Sequence, residues 1–316
     1  MALLRRIGRD EIKLASALAA IYFVWGSTYF AIKLAVASIP PLFAAGARFL
    51  IAGLVLYVWA RLRGERAPER RQWPQLWLLG LLMFLISYSL LFSAEKTVAS
   101  GIASVLIATL PVWMAIFEIA ILRTQRLTPA LSLALAGGLV GVVFVSGAAG
   151  VGDHAGGNWL SCLAVVVSAI SWAAGSTLSK KMKLPDSHSI SAGAQMTCGG
   201  VLLLVTSGAI GEWSALRVPP LEAIAAMGYL IVAGSLIAYS SYVWLLGRMS
   251  PTRLASYAYV NPVVALAIGW IAGGEALGLR ELAGAALVIV SVILILRRKG
   301  RASDVAVERS EAPEAA

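Results

Sequence analysis

The sequence predicts an all-α polytopic membrane protein with ten transmembrane helices in two inverted five-helix repeats. Composition, the placement of basic residues and an internal repeat support this prediction. Of the 316 residues, 59% are hydrophobic and only 13% are charged, about half the charged fraction of a typical soluble domain. So few charges cannot cover a soluble globule of this size. The composition therefore excludes a disordered chain, a secreted disulfide scaffold and an ordinary cytosolic enzyme.

Ten stretches are long and apolar enough to cross a bilayer, which takes about 20 mostly apolar residues. Prolines lie at most of their boundaries, where a missing backbone N–H costs little. Only Pro111 and Pro262 lie inside predicted spans, and we expect both helices to kink there. The spans are about 14–37, 42–60, 74–94, 98–121, 130–147, 158–179, 189–210, 221–246, 252–273 and 279–297.

Basic residues alternate between the two sides of the membrane with every crossing. Of the 26 Lys and Arg residues, 21 fall on one side and three on the other, while Lys33 and Arg48 lie inside spans. Cytoplasmic loops carry the excess of Lys and Arg, so both termini are predicted to be cytoplasmic. Residues 1–13 then form a cytoplasmic N-terminal segment and residues 298–316 a disordered cytoplasmic tail. No separate basic stripe remains that would bind nucleic acid.

The two halves of the chain, residues 14–147 and 158–297, contain similar short motifs in the same order. The offset between matching residues stays between 147 and 151. The matching motifs are Trp25-Gly26-Ser27-Thr28 with Trp172 and Gly175-Ser176-Thr177, Gly46-Ala47-Arg48 with Gly193-Ala194-Gln195, Tyr88-Ser89 with Tyr239-Ser240, and Pro111-Val112 with Pro262-Val263. Because five spans are an odd number, the second half must insert upside down, as in many secondary transporters.

Further motifs point to a known family. They are Trp25-Gly26-Ser27-Thr28-Tyr29, Pro40-Pro41, residues 45–49, residues 100–104 before Pro111, residues 255–264 and residues 273–275. Together they resemble the drug/metabolite transporter superfamily, in its EamA-type ten-helix branch, over about residues 14–297. The resemblance is closest to bacterial inner-membrane exporters of amino acids and related metabolites. It implies a central cavity between the two bundles, with helices 5 and 10 at the periphery.

No catalytic site, metal site or cofactor is expected from the sequence. No predicted span contains Asp, and His154 and His188 lie in or next to short connections. Neither histidine is near a Cys, a second His or a carboxylate at metal-ligand spacing. An intramembrane enzyme acting on a lipid or lipid-linked substrate is the alternative function. It would need Glu95 or Glu118 as its acid.

Arg48 is the most informative single residue. It lies about six residues, or ~9 Å of helical rise, inside the second span. A charge at the centre of a transmembrane helix costs about 2.5–3.5 kcal/mol on insertion scales, so Arg48 should face protein or water. Its planar guanidinium could clamp an anion or a carboxylate. Alternatively, it could be a structural tie to helix-end carbonyls or to Glu95.

Polar and aromatic side chains at mid-depth are the remaining candidates for a substrate site. Tyr259 and Asn261 are the best of them, because broken helices near the midplane commonly line transport sites. The predicted substrate-binding residues are Tyr259, Asn261, Arg48, Trp25, Thr28, Tyr88, Trp113, Trp172, Ser176 and Tyr239. For each hydroxyl or amide, a hydrogen bond between helices is the structural alternative.

These observations predict a multi-pass secondary transporter of the bacterial inner membrane. It would move small polar metabolites by alternating access, and the resemblance favours export of amino acids or related compounds. The expected partners are a small-molecule substrate and the lipid bilayer. The oligomeric state stays open, with a monomer as one alternative. Gly137 and Gly141 have the spacing for close helix packing, either within the bundle or in a dimer.

The lack of acidic residues near the middle of the predicted spans indicates how transport is driven. Proton antiport needs a tunable acid or histidine in the cavity, and no predicted span has Asp or Glu near its midplane. Glu95 is expected in a solvated turn, and Glu118 in an interfacial ion pair with Arg123. We therefore expect transport to follow the substrate gradient without an obligate proton gradient.

The basic-residue count gives a direct test of topology. Single cysteines at Gly64 and Gly156, in a chain lacking Cys162 and Cys198, should react with a membrane-impermeant thiol reagent from opposite sides. The reason is that Gly64 lies in an Arg-rich connection that the charge count places in the cytoplasm. Labelling of both cysteines from the outside of intact cells would contradict ten spans.

Overall fold

Helices make up all the regular structure of the chain in the residues that the structure describes. A computed structural model describes residues 2–98, 103, 106–145, 159–273 and 279–297, and these contain no strand. Six helices are long and apolar enough to cross a membrane, and shorter apolar helices accompany them. The prediction of an all-α polytopic membrane protein is therefore confirmed.

The first half contributes five helices. Prolines lie in the first turn of most of them, where the backbone N–H has no helical partner to lose. Pro111 is one of these, because a turn at Ala108 and Thr109 interrupts the fourth helix just before it. The helices are α1 (Ala2–Val36), α2 (Pro41–Leu62), α3 (Trp73–Ala94), α4 (Leu110–Leu122) and α5 (Pro129–Val145).

The second half contributes five further helices. They are α6 (Trp159–Ser179), α7 (His188–Ala209), α8 (Leu221–Leu246), α9 (Tyr257–Gly273) and α10 (Leu279–Arg297). A 3₁₀ turn at Glu212–Ala215 precedes α8, and a single helical turn at Pro251–Leu254 precedes α9. We call the end of the bundle that holds the connections 63–72 and 180–187 the basic end, and the other the opposite end.

The two halves pack as inverted copies of each other. Helix α1 contacts α8 and α9 of the second half, and its counterpart α6 contacts α3 and α4 of the first. Helix α3 packs on α7, just as α8 packs on α2. Helices α2 and α7 contact each other, as do α5 and α10. Each of these contacts either has an equivalent in the other half or joins two equivalent helices. This is the pattern expected of an inverted repeat.

Helices α2 and α7 approach until their backbones touch. A Cβ atom added at Gly53 of α2 would lie 2.5 Å from the Thr197 nitrogen, and one at Gly200 of α7 would lie 2.4 Å from the Leu50 nitrogen. An added Cβ atom would lie 2.8 Å from the nearest atom of the other helix at both Gly46 and Gly193, one heptad away. Small residues permit such contacts, in which packing and not the hydrophobic effect holds helices together in lipid.

Two glutamates reinforce this contact at its ends. Glu212, just after α7, accepts hydrogen bonds from the Leu42 and Phe43 backbone nitrogens at 3.3 and 3.0 Å, at the start of α2. Glu65, just after α2, accepts a hydrogen bond from Ser187, the N-cap residue of α7. Negative charge at a helix N-terminus is stabilising. Glu212, after α7, therefore stabilises the first turn of α2, and Glu65, after α2, stabilises the first turn of α7.

A π-helical segment interrupts α3 and recurs in α8. It spans Gly80–Ile86 in the first half and Leu230–Ile237 in the second. Wider π turns are common at functional sites. Here the Leu82 carbonyl oxygen accepts a hydrogen bond from Ser171 at 2.7 Å, and the Gly234 carbonyl oxygen accepts one from the Trp25 indole at 3.1 Å. Both bonds connect one half of the chain to the other.

The glycines of α5 pack inside the chain. A Cβ atom at Gly137 would lie 2.9 Å from the Ser291 hydroxyl oxygen, and one at Gly141 would lie 2.8 Å from a Val288 methyl carbon, both on α10. Of the two alternatives for these glycines, the structure therefore favours packing within the bundle over a dimer contact.

The glycine contact predicts a specific loss of stability. Gly200→Ala should lower the apparent melting temperature of the purified protein, because the new methyl group would overlap the α2 backbone, and overpacking typically costs about 1–3 kcal/mol. Gly228→Ala, in the open face of α8 where an added Cβ meets nothing within 4 Å, is the matched control. Thermal unfolding in detergent, followed by tryptophan fluorescence, measures both. Equal melting temperatures for the two variants would contradict the contact.

Candidate functional site

A cavity of about 60 Å³ lies inside the bundle, between helices of both halves. It is nearer the opposite end, because it is formed by the later turns of α1 and α3. Its walls are mostly aromatic and aliphatic, with a few polar groups, as is usual for small-molecule sites. The lining residues are Trp25, Thr28, Tyr29, Ile32, Arg48, Ser87, Tyr88, Leu91, Ile107, Leu110, Ser168, Ala169, Trp172, Tyr257 and Asn261.

Aromatic rings from both halves meet at the floor of this cavity. Trp25 and its repeat counterpart Trp172 pack edge to face with centroids 5.7 Å apart. The ring centroid of Tyr257 lies 4.6 Å from that of Trp25, and the ring centroid of Tyr88 lies 5.8 Å from that of Trp172. Edge-to-face packing suits the quadrupole of aromatic rings. The repeat therefore brings two equivalent tryptophans together at the centre of the molecule.

Arg48 is buried in the wall of the cavity, with only 1% of its surface exposed. Its Nε donates a hydrogen bond to the Ser235 hydroxyl at 2.9 Å, and its guanidinium carbon lies 4.7 Å from the Phe49 ring centroid and 5.6 Å from that of Tyr88. Its Nη1 has no hydrogen-bond partner among the described residues. The tie to Glu95 considered from the sequence is absent, since neither Glu95 oxygen has a partner there either.

Two more polar atoms in the cavity wall lack partners in the described part of the chain. They are the Trp172 indole nitrogen, a donor, and the Asn261 amide oxygen, an acceptor. Buried polar groups are normally hydrogen-bonded, so each exception needs an explanation. The cavity wall thus offers two donors, Arg48 and Trp172, and one acceptor, Asn261. This set suits a polar ligand that carries complementary groups.

A second cavity, of about 250 Å³, lies at the basic end. It lies between α6, α7, α8 and the connection that follows α6, and it contains more charged groups than the first. Its lining residues are Met83, Ser179, Lys180, Met182, Leu184, Pro185, Asp186, His188, Ser191, Gln195, Tyr239, Tyr242, Val243, Leu246 and Gly247.

A layer of aromatic rings separates the two cavities. Trp172 faces the first cavity, and Tyr239 and Tyr242 face the second, with ring centroids 6.1 and 5.4 Å from Trp172. Two hydrogen bonds hold the tyrosines in place: Tyr239 donates to Gln195 at 2.7 Å, and Tyr242 donates to Ser176 at 2.5 Å. The partition thus consists of Trp172 on one side and the two tyrosines on the other.

Most of the residues singled out in the sequence lie around these cavities. Trp25, Thr28, Arg48, Tyr88, Trp172 and Asn261 line the first cavity, and Tyr239 lines the second. Ser176 lies in the partition as the acceptor for Tyr242. The structure therefore brings together residues that are far apart in the chain, as the repeat pattern indicated.

Two of the predicted site residues lie elsewhere. Tyr259 is fully buried against Gly138 of α5, and its hydroxyl donates to the Leu135 carbonyl oxygen at 3.0 Å, so it is a packing residue outside the cavity. Trp113 donates to Thr109 of its own helix segment at 3.3 Å and is absent from both cavity walls. Neither residue lines one of these two cavities, because a position beside a helix-breaking proline does not decide which way a side chain points.

Both acidic residues next to the spans also differ from expectation. Glu118 accepts hydrogen bonds from the Thr252 backbone nitrogen at 3.1 Å, the Thr252 hydroxyl at 2.7 Å and Thr124 at 3.2 Å, in place of an ion pair with Arg123. Glu95 is 3% exposed, so it does not lie in a solvated turn.

Sequence analysis missed several polar residues of the site. Ser87 and Ser168 hydrogen-bond each other at 3.1 Å in the wall of the first cavity, and nothing in the sequence distinguishes them from other serines in spans. Ser235, the partner of Arg48, is equally inconspicuous. Gln195 could have been found, because it is the repeat counterpart of Arg48.

Comparisons with known proteins agree with this architecture. A crystal structure of a protein that is 20% identical superposes with a TM-score of 0.72 and covers 95% of this chain and 99% of its own. That likeness shows the fold. Residues 13–147 and 159–297 each match the EamA-like transporter family.

Curated relatives match over nearly the full length. The inner membrane transporter YedA of Escherichia coli, named as uncharacterized, is 37% identical over 290 residues, covering 91% of this chain and 92% of YedA. The transporter YvbV of Bacillus subtilis, also named as uncharacterized, is 28% identical, covering 90% and 92%. The S-adenosylmethionine/S-adenosylhomocysteine transporter of Chlamydia trachomatis is 29% identical, covering 80% of each chain. This chain therefore belongs to the EamA-like transporter family, and it is a membrane transporter and not an enzyme.

Proposed function

We propose that this protein is a secondary transporter that exports small polar metabolites bearing a carboxylate, amino acids or related compounds, across the cytoplasmic membrane. The observation that carries the proposal is the buried Nη1 of Arg48, which lacks a partner among the described residues and borders a mostly aromatic and aliphatic cavity. A guanidinium held in this way is costly to bury. A carboxylate would satisfy it, with charge-assisted hydrogen bonds that are stronger than neutral ones.

The rest of the cavity suits an amino acid. The Asn261 amide oxygen is available to accept from an ammonium group, and the faces of Trp25, Tyr88 and Trp172 can cover aliphatic parts or hold a cation through cation–π attraction. The named substrates of the Chlamydia relative, S-adenosylmethionine and S-adenosylhomocysteine, themselves carry an amino-acid group, which supports the same substrate class.

Alternating access follows from the two cavities. They approach the aromatic layer from opposite ends of the bundle, and Trp172, Tyr239 and Tyr242 lie between them. Inverted repeats can exchange such arrangements by moving one bundle against the other around a fixed site. Opening the layer would connect Arg48 to the basic end, and closing it would restore the structure seen here.

The direction of export depends on orientation. The excess of basic residues supports a cytoplasmic location for the basic end and for both termini. The relative YedA is named as an inner membrane transporter, which supports the same membrane for this chain. With this orientation, the larger cavity, lined by Lys180 and His188, would open towards the cytoplasm and collect anionic groups there.

Arg48→Lys tests the substrate class. Lysine keeps the charge but loses the two-pronged geometry, so counterflow of a ¹⁴C-labelled mixture of the twenty amino acids in reconstituted vesicles should fall by about tenfold or more. Competition by unlabelled amino acids should weaken much more than competition by the corresponding amino-acid amides. Arg217→Lys, at an exposed arginine between α7 and α8, is the matched control.

A structural role for Arg48 would give a different result. In that case amino acids and their amides would lose competition equally, and the melting temperature of Arg48→Lys would fall with them. That combination, or unchanged counterflow in Arg48→Lys, would contradict the carboxylate site.

A further inference from the structure

Glu95 is a buried carboxyl group that no part of the fold accounts for. It follows directly after α3, is 3% exposed, and neither of its side-chain oxygens has a hydrogen-bond partner among the described residues. An isolated carboxylate is expensive to bury, and in practice the group takes up a proton or acquires a partner. By contrast Glu118, equally buried, is surrounded by three donor groups. The isolation of Glu95 is therefore specific to this site.

The charged and titratable groups around Glu95 come from α1. Lys33 attracts it, but this lysine is itself exposed, so water screens the attraction. Tyr29 also interacts with Glu95, and no charged group from α2, α6 or α7, the other helices packed on α3, contributes in the described part of the chain. Lys96, next in the chain, is exposed. The effect of burial is larger than that of Lys33, so the pKa of Glu95 is raised to about 8.

Glu95 is connected to the first cavity through Tyr29. Tyr29 lines that cavity and interacts there with Asn261, the residue with the free amide oxygen. One wall of the cavity therefore has a potential negative charge behind it, at Glu95, while Arg48 supplies positive charge to the wall. A zwitterion would align its carboxylate with Arg48 and its ammonium group towards Asn261 and Glu95.

We infer that Glu95 binds the proton that this transporter exchanges for its substrate. The inference rests on the proposed function, because it takes the substrate to carry an ammonium group. A proton entering from the opposite end neutralises the Glu95 carboxylate and weakens the attraction for the ammonium group, so the substrate leaves. When the cavity opens to the basic end, arrival of a new ammonium group favours the carboxylate, and the proton is released on that side. One proton moves in for each substrate that moves out.

This inference replaces the expectation of transport without proton coupling. That expectation rested on the absence of Asp and Glu near the midplane of any predicted span and on a solvated position for Glu95. Glu95 lies past the end of an apolar span in the sequence, but the packing of the helices around it encloses it.

The first test needs no ligand. A carboxyl group whose pKa is raised by folding stabilises the protein at low pH, and this contribution is lost as pH rises through about 8. Glu95→Gln mimics the neutral acid, so it should melt close to wild type at pH 5 but about 5 °C or more above it at pH 9. Glu222→Gln, at an exposed glutamate in the first turn of α8, should follow wild type at every pH. Parallel curves for wild type and Glu95→Gln would overturn the inference.

The second test measures coupling. Vesicles with an acidic interior and an exterior about two pH units higher, with the membrane potential clamped, should accumulate the ¹⁴C-labelled amino-acid mixture transiently, up to a limit of roughly 100-fold. Glu95→Gln should lose this accumulation, and its counterflow at equal pH should need a higher substrate concentration, because the ammonium group loses its negative partner. Glu222→Gln should match wild type in both assays.

The outcomes separate the two proposals. Counterflow without pH-driven accumulation in wild type, or accumulation that survives in Glu95→Gln, would overturn proton exchange and leave the proposed function intact. Absence of counterflow in wild type would overturn the amino-acid substrate class, and the ligand-free melting curves would still decide whether Glu95 binds a proton.

Discussion

The backbone contact between α2 and α7 is the interaction on which the rest of the bundle depends. Gly53 and Gly200 let the two helices touch. Glu212 stabilises the first turn of α2, and Glu65 stabilises the first turn of α7. Lipid supplies no hydrophobic force between helices, so such close packing is what holds two halves together. The contacts of α1 and α6 with the opposite half, and the contact between α5 and α10, add to it.

The symmetric frame holds an asymmetric site. Arg48 on α2 and Gln195 on α7 are equivalent positions in the repeat. The Nη1 of Arg48 has no hydrogen-bond partner among the described residues, whereas Gln195 accepts a hydrogen bond from Tyr239 and donates one to Ser191. The frame therefore supplies two cavities from opposite ends that differ chemically, with Arg48 in the wall of one and its counterpart Gln195 in the wall of the other.

Polar groups within the bundle fall into two classes. Those that hold the fold have partners, such as the Gly234 carbonyl that Trp25 reaches and the Leu82 carbonyl that Ser171 reaches. Several that border the first cavity lack partners among the described residues, and they include Arg48, Trp172 and Asn261. Because nothing in a bilayer interior replaces a missing hydrogen bond, open groups are costly. Three such groups in the wall of one cavity support the proposal that a polar ligand completes them.

The helical spans, the inverted repeat and several of the cavity residues could be predicted from the sequence, because length, charge and motif spacing are properties of the chain alone. Tertiary structure decided which way each side chain faces. Tyr259 and Asn261 are two residues apart, about 200° around a helix, so one packs on α5 while the other reaches the cavity. Glu95 follows the last turn of an apolar span, and only the packing of neighbouring helices shows that it is enclosed and not solvated. Burial depends on what surrounds a residue, and that is set by contacts between distant parts of the chain.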